Sequence, residues 1–212
     1  GIPRKNIKAL MGKPLIGWTI DVAEQSSCVD RIIVSTEDEE IASVARKLGA
    51  DVPFIRPAEL AADDTPGISP VLHVISQLPN YDWVLLLQPT SPLRSPEDID
   101  GIWQFCQEQG APSAVSVCEV GEHPYLMYKC DTAQRLEPII KGRPDVACRQ
   151  DLPPAYALNG ALYLARTEWL LERQDFIGQE TLGYIMPPER SVDLDTPLDW
   201  RWVEFLIEHA DV

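Results

Sequence analysis

Six short runs rich in branched and apolar residues, at 31–36 (RIIVST), 52–55 (VPFI), 83–88 (WVLLLQ), 114–120 (AVSVCEV), 160–166 (GALYLAR) and 182–187 (LGYIMP), punctuate the chain. Stretches with helical apolar spacing separate most of them. Strands alternating with helices imply right-handed crossovers and a largely parallel sheet covered on both faces, a three-layer α/β/α arrangement. In such sheets ligands gather beyond the carboxyl ends of the strands.

The helices are signalled by periodicity and caps. Residues 9–25 carry Leu15, Ile16, Trp18, Thr19, Val22 and Ala23 at near-helical spacing, with Pro14 suited to a first turn. Thr36 and Glu39 form a capping-box pattern for a helix that Gly49 ends. Residues 68–78 read as a further helix, Ser95, Pro96, Glu97 and Asp98 open another that runs to Gln109, and TEWLLER (167–173) is a short one. Thr196 and Pro197 start a last helix, where Leu198, Trp202, Phe205 and Leu206 share a face. Between 121 and 154 the rhythm breaks into mixed signals with five prolines, the expected excursion from a single domain spanning 1–212.

Composition narrows the partners. A net charge of −15 speaks against nucleic acid or an anionic membrane surface, and no apolar run approaches the roughly 18 residues needed to span a bilayer. The five cysteines are odd in number, widely spaced and without a Cys-x-x-Cys pair, as expected for reduced thiols in the cytoplasm. A small anionic ligand remains compatible, because it needs only a local basic pocket or a divalent cation. The opening GIPRKNIK, with Arg4, Lys5 and Lys8, is the densest positive cluster.

Several constellations could carry chemistry. The apolar run at 83–88 stops at Gln88 and hands over to PTSPLR; this is either a turn-rich strand-to-helix loop or a loop stiffened by proline that offers the Gln88 amide to a ligand. In SVDLDTP, Asp193 and Asp195 alternate with apolar residues, so in extended backbone both carboxylates face one side and suit Mg²⁺; the alternative is a solvated Asp193 and a turn residue at 195. GIPRKNIK could cradle phosphate or be a basic surface turn. Arg56 follows a predicted strand and either meets a ligand or pairs with Glu59 or Asp63, and Asn159 with Gly160 reads as a turn before a strand. No G-x-G-x-x-G is present, which disfavours a dehydrogenase.

In order along the chain, GIPRKN, DRIIVST, RPAELA, LLLQPTSPLR, NGALY and VDLDT resemble the acylneuraminate cytidylyltransferases, the CMP-sialic acid synthetases. LLLQPTSPLR is the most specific of these stretches. The resemblance implies a Rossmann-like nucleotidyltransferase fold, with CTP and a sialic-type sugar acid as substrates, Mg²⁺ as cofactor and pyrophosphate as second product. It implies a homodimer joined through the excursion, and a first strand and phosphate loop upstream of Gly1. By position, Lys5 and Asn6 would bind nucleotide and phosphates, with Lys5 stabilising the departing pyrophosphate; Arg56 and Thr65 would assist at the CTP end. Gly67 stands where the family is expected to offer a hydroxyl. Gln88 would hold the sugar acid, Arg149, Asn159, Tyr163 and Phe176 would line its pocket, and Asp193 and Asp195 would be the metal ligands. No histidine suggests itself as a base, since His73 and His209 read as packed or surface residues. Two rivals stay open: the same chemistry on legionaminate, pseudaminate or Kdo, and a non-catalytic nucleotide-sugar binder, which has little need of two metal carboxylates.

Overall fold

A turn at Met11 and Gly12, both with positive φ (49° and 81°), folds the start of the chain into a small hairpin. Two central residues of that kind match the hand of a two-residue hairpin, so β1 (Ala9–Leu10) pairs antiparallel with β2 (Lys13–Pro14). The predicted helix over 9–25 therefore begins only at α1 (Leu15–Gln25), because Pro14 is extended and cannot supply a helical hydrogen bond. The computed structural model describes residues 2–62, 65–142 and 148–209.

Residues 31–36 do not form a full strand. Only a parallel bridge joins Ile33 to Asp51, with the Val34 amide donating to the Asp51 carbonyl and the Asp51 amide to the Ile32 carbonyl, each at 2.9 Å. The run at 52–55 forms no named strand beyond that bridge. α2 (Glu39–Lys47) follows, and its cap is Asp38, not Thr36. Asp38 Oδ1 accepts from the amides of Glu40 and Ile41 at 2.8 and 3.1 Å, while Thr36 Oγ1 accepts from the Asp38 amide. A carboxylate at a helix N-terminus gains from the dipole as well as the hydrogen bonds, and so takes the position.

α3 (Ser69–Gln77) leads to β3 (Trp83–Leu86), and α4 (Pro96–Gln109) opens at the expected start with a capping box between Ser95 and Asp98. β4 (Ser113–Glu119) precedes the excursion, whose described part holds the ribbon β5 (Tyr128–Cys130) and β6 (Leu136–Pro138). β7 (Tyr156–Arg166) returns to the sheet, then come α5 (Thr167–Arg173), β8 (Leu182–Ile185) and α6 (Pro197–Glu208). The main sheet has the order β3-β7-β4-β8. β7 runs antiparallel to both neighbours, and β4 and β8 are parallel, so β3, β4 and β8 share one direction around a reversed strand. The excursion leaves and returns at one end of the sheet, Glu119 at the end of β4 pairing with Tyr156 at the start of β7, so the chain runs back between β3 and β4.

Alternation along the strands builds two cores. Ala114, Leu162 and Leu164 point to one face, where they meet Ala23 of α1 and Ile99, Ile102 and Cys106 of α4. Val115 and Ala165 point to the other, against Val71 and Ile75 of α3, Leu170 of α5 and Phe176. A sheet apolar on both faces must be covered on both, which gives the three layers. α2 packs on α1 through Ala42, Ala45, Ile16 and Ile20. α6 packs through Trp200 and Val203 onto Leu10, Leu15 and Leu194. Three of the four residues read as one face of this helix are exposed: Leu198 at 74%, and Trp202, which stacks on Phe205, itself stacked on His209. No helix among the described residues is long and apolar enough to cross a membrane.

Candidate active site

Beyond the carboxyl end of β3 the chain turns sharply, the Ser91 amide donating to the Gln88 carbonyl at 3.2 Å. Next to it, β7 departs from regular pairing with β4. Val115 faces Tyr163 but Val117 faces Leu158, so residues 159–162 bulge out of the ladder. Bulges re-aim side chains next to sites, and this one brings Asn159 and Gly160 beneath Gln88. Gly160 has φ of 75°, and a Cβ placed there would lie 2.9 Å from Gln88 Oε1. Only glycine allows the Gln88 carboxamide to rest against this backbone.

Asn159 holds the bulge in shape. Its Oδ1 accepts from Ser116 Oγ at 2.5 Å and from the Ala161 amide at 3.2 Å, and its Nδ2 donates to Ser191 Oγ at 2.9 Å and to Met186 Sδ at 3.5 Å. Both lone pairs and both protons of the carboxamide are thereby used. At 7% exposed it lines the cavity with its polar atoms engaged within the chain. Ser191 passes the chain of hydrogen bonds on to the Pro187 carbonyl at 2.8 Å.

The segment with the two aspartates lies directly across from the Gln88 loop. Leu194 is fully buried, and its amide donates to the Thr90 carbonyl at 2.8 Å. The carboxylates on either side of it are exposed. Asp193 lines a cavity of about 320 Å³ together with Gln88, Tyr163, Gly160 and Ser191; Cys118, Val120 and Leu158 form a more apolar flank. Asp195 turns to the basic opening of the chain: Lys5 Nζ donates to its Oδ1 at 2.8 Å and to the Leu194 carbonyl at 2.9 Å. Burial, and then the negative charge of Asp193, push the Tyr163 phenol above its usual range, so it remains a protonated donor facing the cavity.

The other expected residues fall into three groups. Asn6 is half-buried in the same short turn as Lys5. Arg56, Thr65 and Gly67 do not line the cavity. Arg56 pairs with Glu37, not with Glu59, while its expected alternative partner Asp63 lies outside the described residues. Thr65 Oγ1 donates to the Glu59 carbonyl at 3.0 Å, and Gly67 faces open space. Phe176 is 5% exposed and backs Tyr163 at a ring distance of 5.6 Å; it belongs to the core and supports the pocket wall without forming it, because its apolar ring finds a full set of neighbours between α3 and α5. The side chain of Arg149 lies outside the described residues.

Sequence reasoning missed Ser116 and Ser191. Ser116 carried a signal, a hydroxyl inside an otherwise apolar strand, which when buried must find partners. None of the three histidines lines the cavity: His73 packs edge-on against Phe54, His209 stacks on Phe205, and His123 stacks on Tyr125.

Residues 1–164 match the family described as Cytidylyltransferase. This chain belongs to the cytidylyltransferase family. Among its relatives, the CMP-N,N'-diacetyllegionaminic acid synthase of Legionella pneumophila is 37% identical over 213 residues, covering 98% of this chain and 90% of that protein. N-acylneuraminate cytidylyltransferase A of Danio rerio is 35% identical over 211 residues, covering 96% of this chain but 47% of its own length. Solved structures share the fold at lower identity: a CMP:2-keto-3-deoxy-manno-octonic acid synthetase complexed with CTP superposes with a TM-score of 0.71 at 16% identity, over 99% of this chain and 93% of that one.

As a cytidylyltransferase the chain must manage a triphosphate, and its acidic donor set bears on how. Among the described residues no group of three or more His, Cys, Asp or Glu could hold a metal ion by itself. Asp193 and Asp195 are a pair flanking one buried residue. Two carboxylates suit Mg²⁺, which keeps several waters and takes its remaining ligands from phosphates, so these residues fit the ion.

Proposed function

We propose that this cytidylyltransferase transfers CMP from CTP to the anomeric hydroxyl of a sialic-type nonulosonic acid, releasing pyrophosphate. The observation that carries the reading is the shared cavity: Gln88 and Asp193 line one space, and Asp195 with Lys5 lies one residue away across buried Leu194. Gln88 and Tyr163 supply hydrogen bonds to the sugar acid. Asp193 and Asp195 would hold Mg²⁺, which when bound supplies positive charge to the triphosphate and Lewis acidity at the reacting end.

The remaining work falls to the chain. Two anionic substrates must be brought together, so their charge has to be offset and their geometry fixed. Lys5 is placed to exchange Asp195 for a phosphate oxygen and to stabilise the departing pyrophosphate, with Asn6 beside it. The bulge at 159–162 and the Thr90–Leu194 hydrogen bond hold the two sides of the cleft in register.

A second reading within the class is favoured by the Legionella relative, whose name specifies N,N'-diacetyllegionaminic acid and which this chain covers almost end to end. The apolar flank of Cys118, Val120 and Leu158 is compatible with acyl groups of such a sugar.

We also read residues 121–154 as an arm of one domain that joins two copies into a homodimer. Every residue of the β5–β6 ribbon is exposed, Leu136 at 68%, and a two-stranded ribbon alone is marginal in water. The five cysteines are free, compatible with a reducing cytoplasm.

The test is to incubate the protein with CTP, Mg²⁺ and a panel of sialic, legionaminic, pseudaminic and Kdo acids while following pyrophosphate. Release with a nonulosonic acid supports the reading, and the preferred acid names the substrate. Silence across the panel would favour a non-catalytic nucleotide-sugar binder.

A further inference from the structure

We propose that Arg94 is a positioning residue for the sugar-acid end of the site: its buried guanidinium fixes the Gln88 backbone and so aims the Gln88 carboxamide across Gly160 into the cavity. This rests on Gln88 being a sugar-acid contact, as read above.

Arg94 is 2% exposed although it lies in a loop. One terminal nitrogen donates to the Gln88 carbonyl, and the other donates to Thr19 Oγ1 of α1 at 3.0 Å. Its Nε is buried without a hydrogen-bond partner among the described residues. Dehydrating a guanidinium for two neutral acceptors is costly, and a loop needing only to turn would leave the side chain in water.

The carboxylate nearby, Asp98, interacts with Arg94 through charge, while its hydrogen bonds come from elsewhere. Asp98 accepts two hydrogen bonds from Arg190, at 2.8 and 2.9 Å, and one from the Ser95 amide at 2.9 Å. Two guanidinium groups thus share the Asp98 carboxylate. Burial pulls the Arg94 guanidinium down to about 9 with Asp98 opposing, so it stays protonated at neutral pH.

The geometry explains why the clamp acts on Gln88. The Gln88 carbonyl lies beyond the last β3 ladder pair, where Arg94 and the Ser91 amide hold it. With the backbone pinned there and the carboxamide lying against Gly160, few side-chain orientations remain. A lysine would present a single nitrogen where the planar guanidinium presents two in a fixed fork, one to the Gln88 carbonyl and one to Thr19.

The experiment measures steady-state KM for CTP and for the sugar acid in R94M, R94K, Q88A and the double variants, with folding checked by circular dichroism and thermal melting. Loss of a charge-assisted hydrogen bond predicts a rise in sugar-acid KM of about tenfold or more in R94M, with CTP KM changed less than about twofold. R94K recovers part of the loss. In the Q88A background the R94M substitution adds little further, because Arg94 acts through that side chain. Should R94M not fold, the R94K/Q88A pair carries the same cycle. Additive effects, or equal rises in both KM values, would overturn the proposal and make Arg94 a purely structural residue. Absence of turnover by the unaltered protein would instead overturn the functional reading, and the proposal with it.

Discussion

The Leu194 amide donates to the Thr90 carbonyl at 2.8 Å, so the Gln88 loop and the segment with the two aspartates are joined backbone to backbone across the cleft. Apolar side chains reinforce the join, Leu93 and Val192 packing against the cluster that contains Leu194. This is what lets Asp193 and Gln88 address the same cavity from opposite walls.

Replacing Asp195 by Asn removes a charge without changing shape. The Asp195 side chain is 67% exposed, and its pair with Lys5 is open to solvent screening. We expect stability to change by less than about 1 kcal/mol. Turnover should fall by about a hundredfold or more, as for loss of a group that stabilises charge in the transition state. Pyrophosphate release across a Mg²⁺ titration, alongside thermal melting, checks both halves.

Gln88→Ala should separate the two substrates. The carboxamide faces the cavity that Tyr163 also lines, while Lys5 and Asp195 lie outside it. Sugar-acid KM is expected to rise about tenfold or more with CTP affinity largely kept. Calorimetric titration with CTP, paired with kinetics in the sugar acid, would expose a reversed assignment as lost nucleotide affinity.

Gly160→Ala introduces a side chain at φ 75° and 2.9 Å from Gln88 Oε1. The backbone strain alone should cost about 1 to 2 kcal/mol. Because the new methyl group displaces the carboxamide, sugar-acid KM should rise as well, and denaturant melts with kinetics on the same sample would show the two effects together.

Acid should loosen the turn that follows α1. Burial pushes the Asp100 carboxyl up, but hydrogen bonds from Ser26 Oγ, then the Ser27 amide and hydroxyl, outweigh it and hold the group below its ordinary 3.8. A depressed carboxyl contributes stability that is present above the unfolded value and is lost as pH falls through the folded value. Urea midpoints measured downward from pH 6 should therefore drop below about pH 4, and Asp100→Asn should flatten that part of the curve.

Much of this was legible in the sequence where one local cause decides the outcome. Ser95-Pro96 and Thr196-Pro197 marked two helix starts, which the structure closes with capping boxes, and the apolar run ending at Gln88 marked the sheet's rim. Where two causes compete, sequence was less informative. Met11 adopts a positive φ that its type disfavours, so the early hairpin was invisible to periodicity. Asp38 outcompeted Thr36 for a cap both could form. β7 runs backwards because it starts beside the end of β4, a pairing of residues far apart in the sequence that no local pattern encodes. Asn159 was rightly placed at the pocket, but the use of all its hydrogen bonds by Ser116, Ser191 and their neighbours emerges only in three dimensions.

The bulge in β7 makes the sheet and the substrate floor a single object. Weakening its seam with β4 would leave the rest of the ladder able to keep the molecule folded, while the glycine shelf under Gln88 lost its height. Variants along that seam should therefore become indiscriminate towards sugar acids at temperatures well short of melting, so that fidelity is the first property to go.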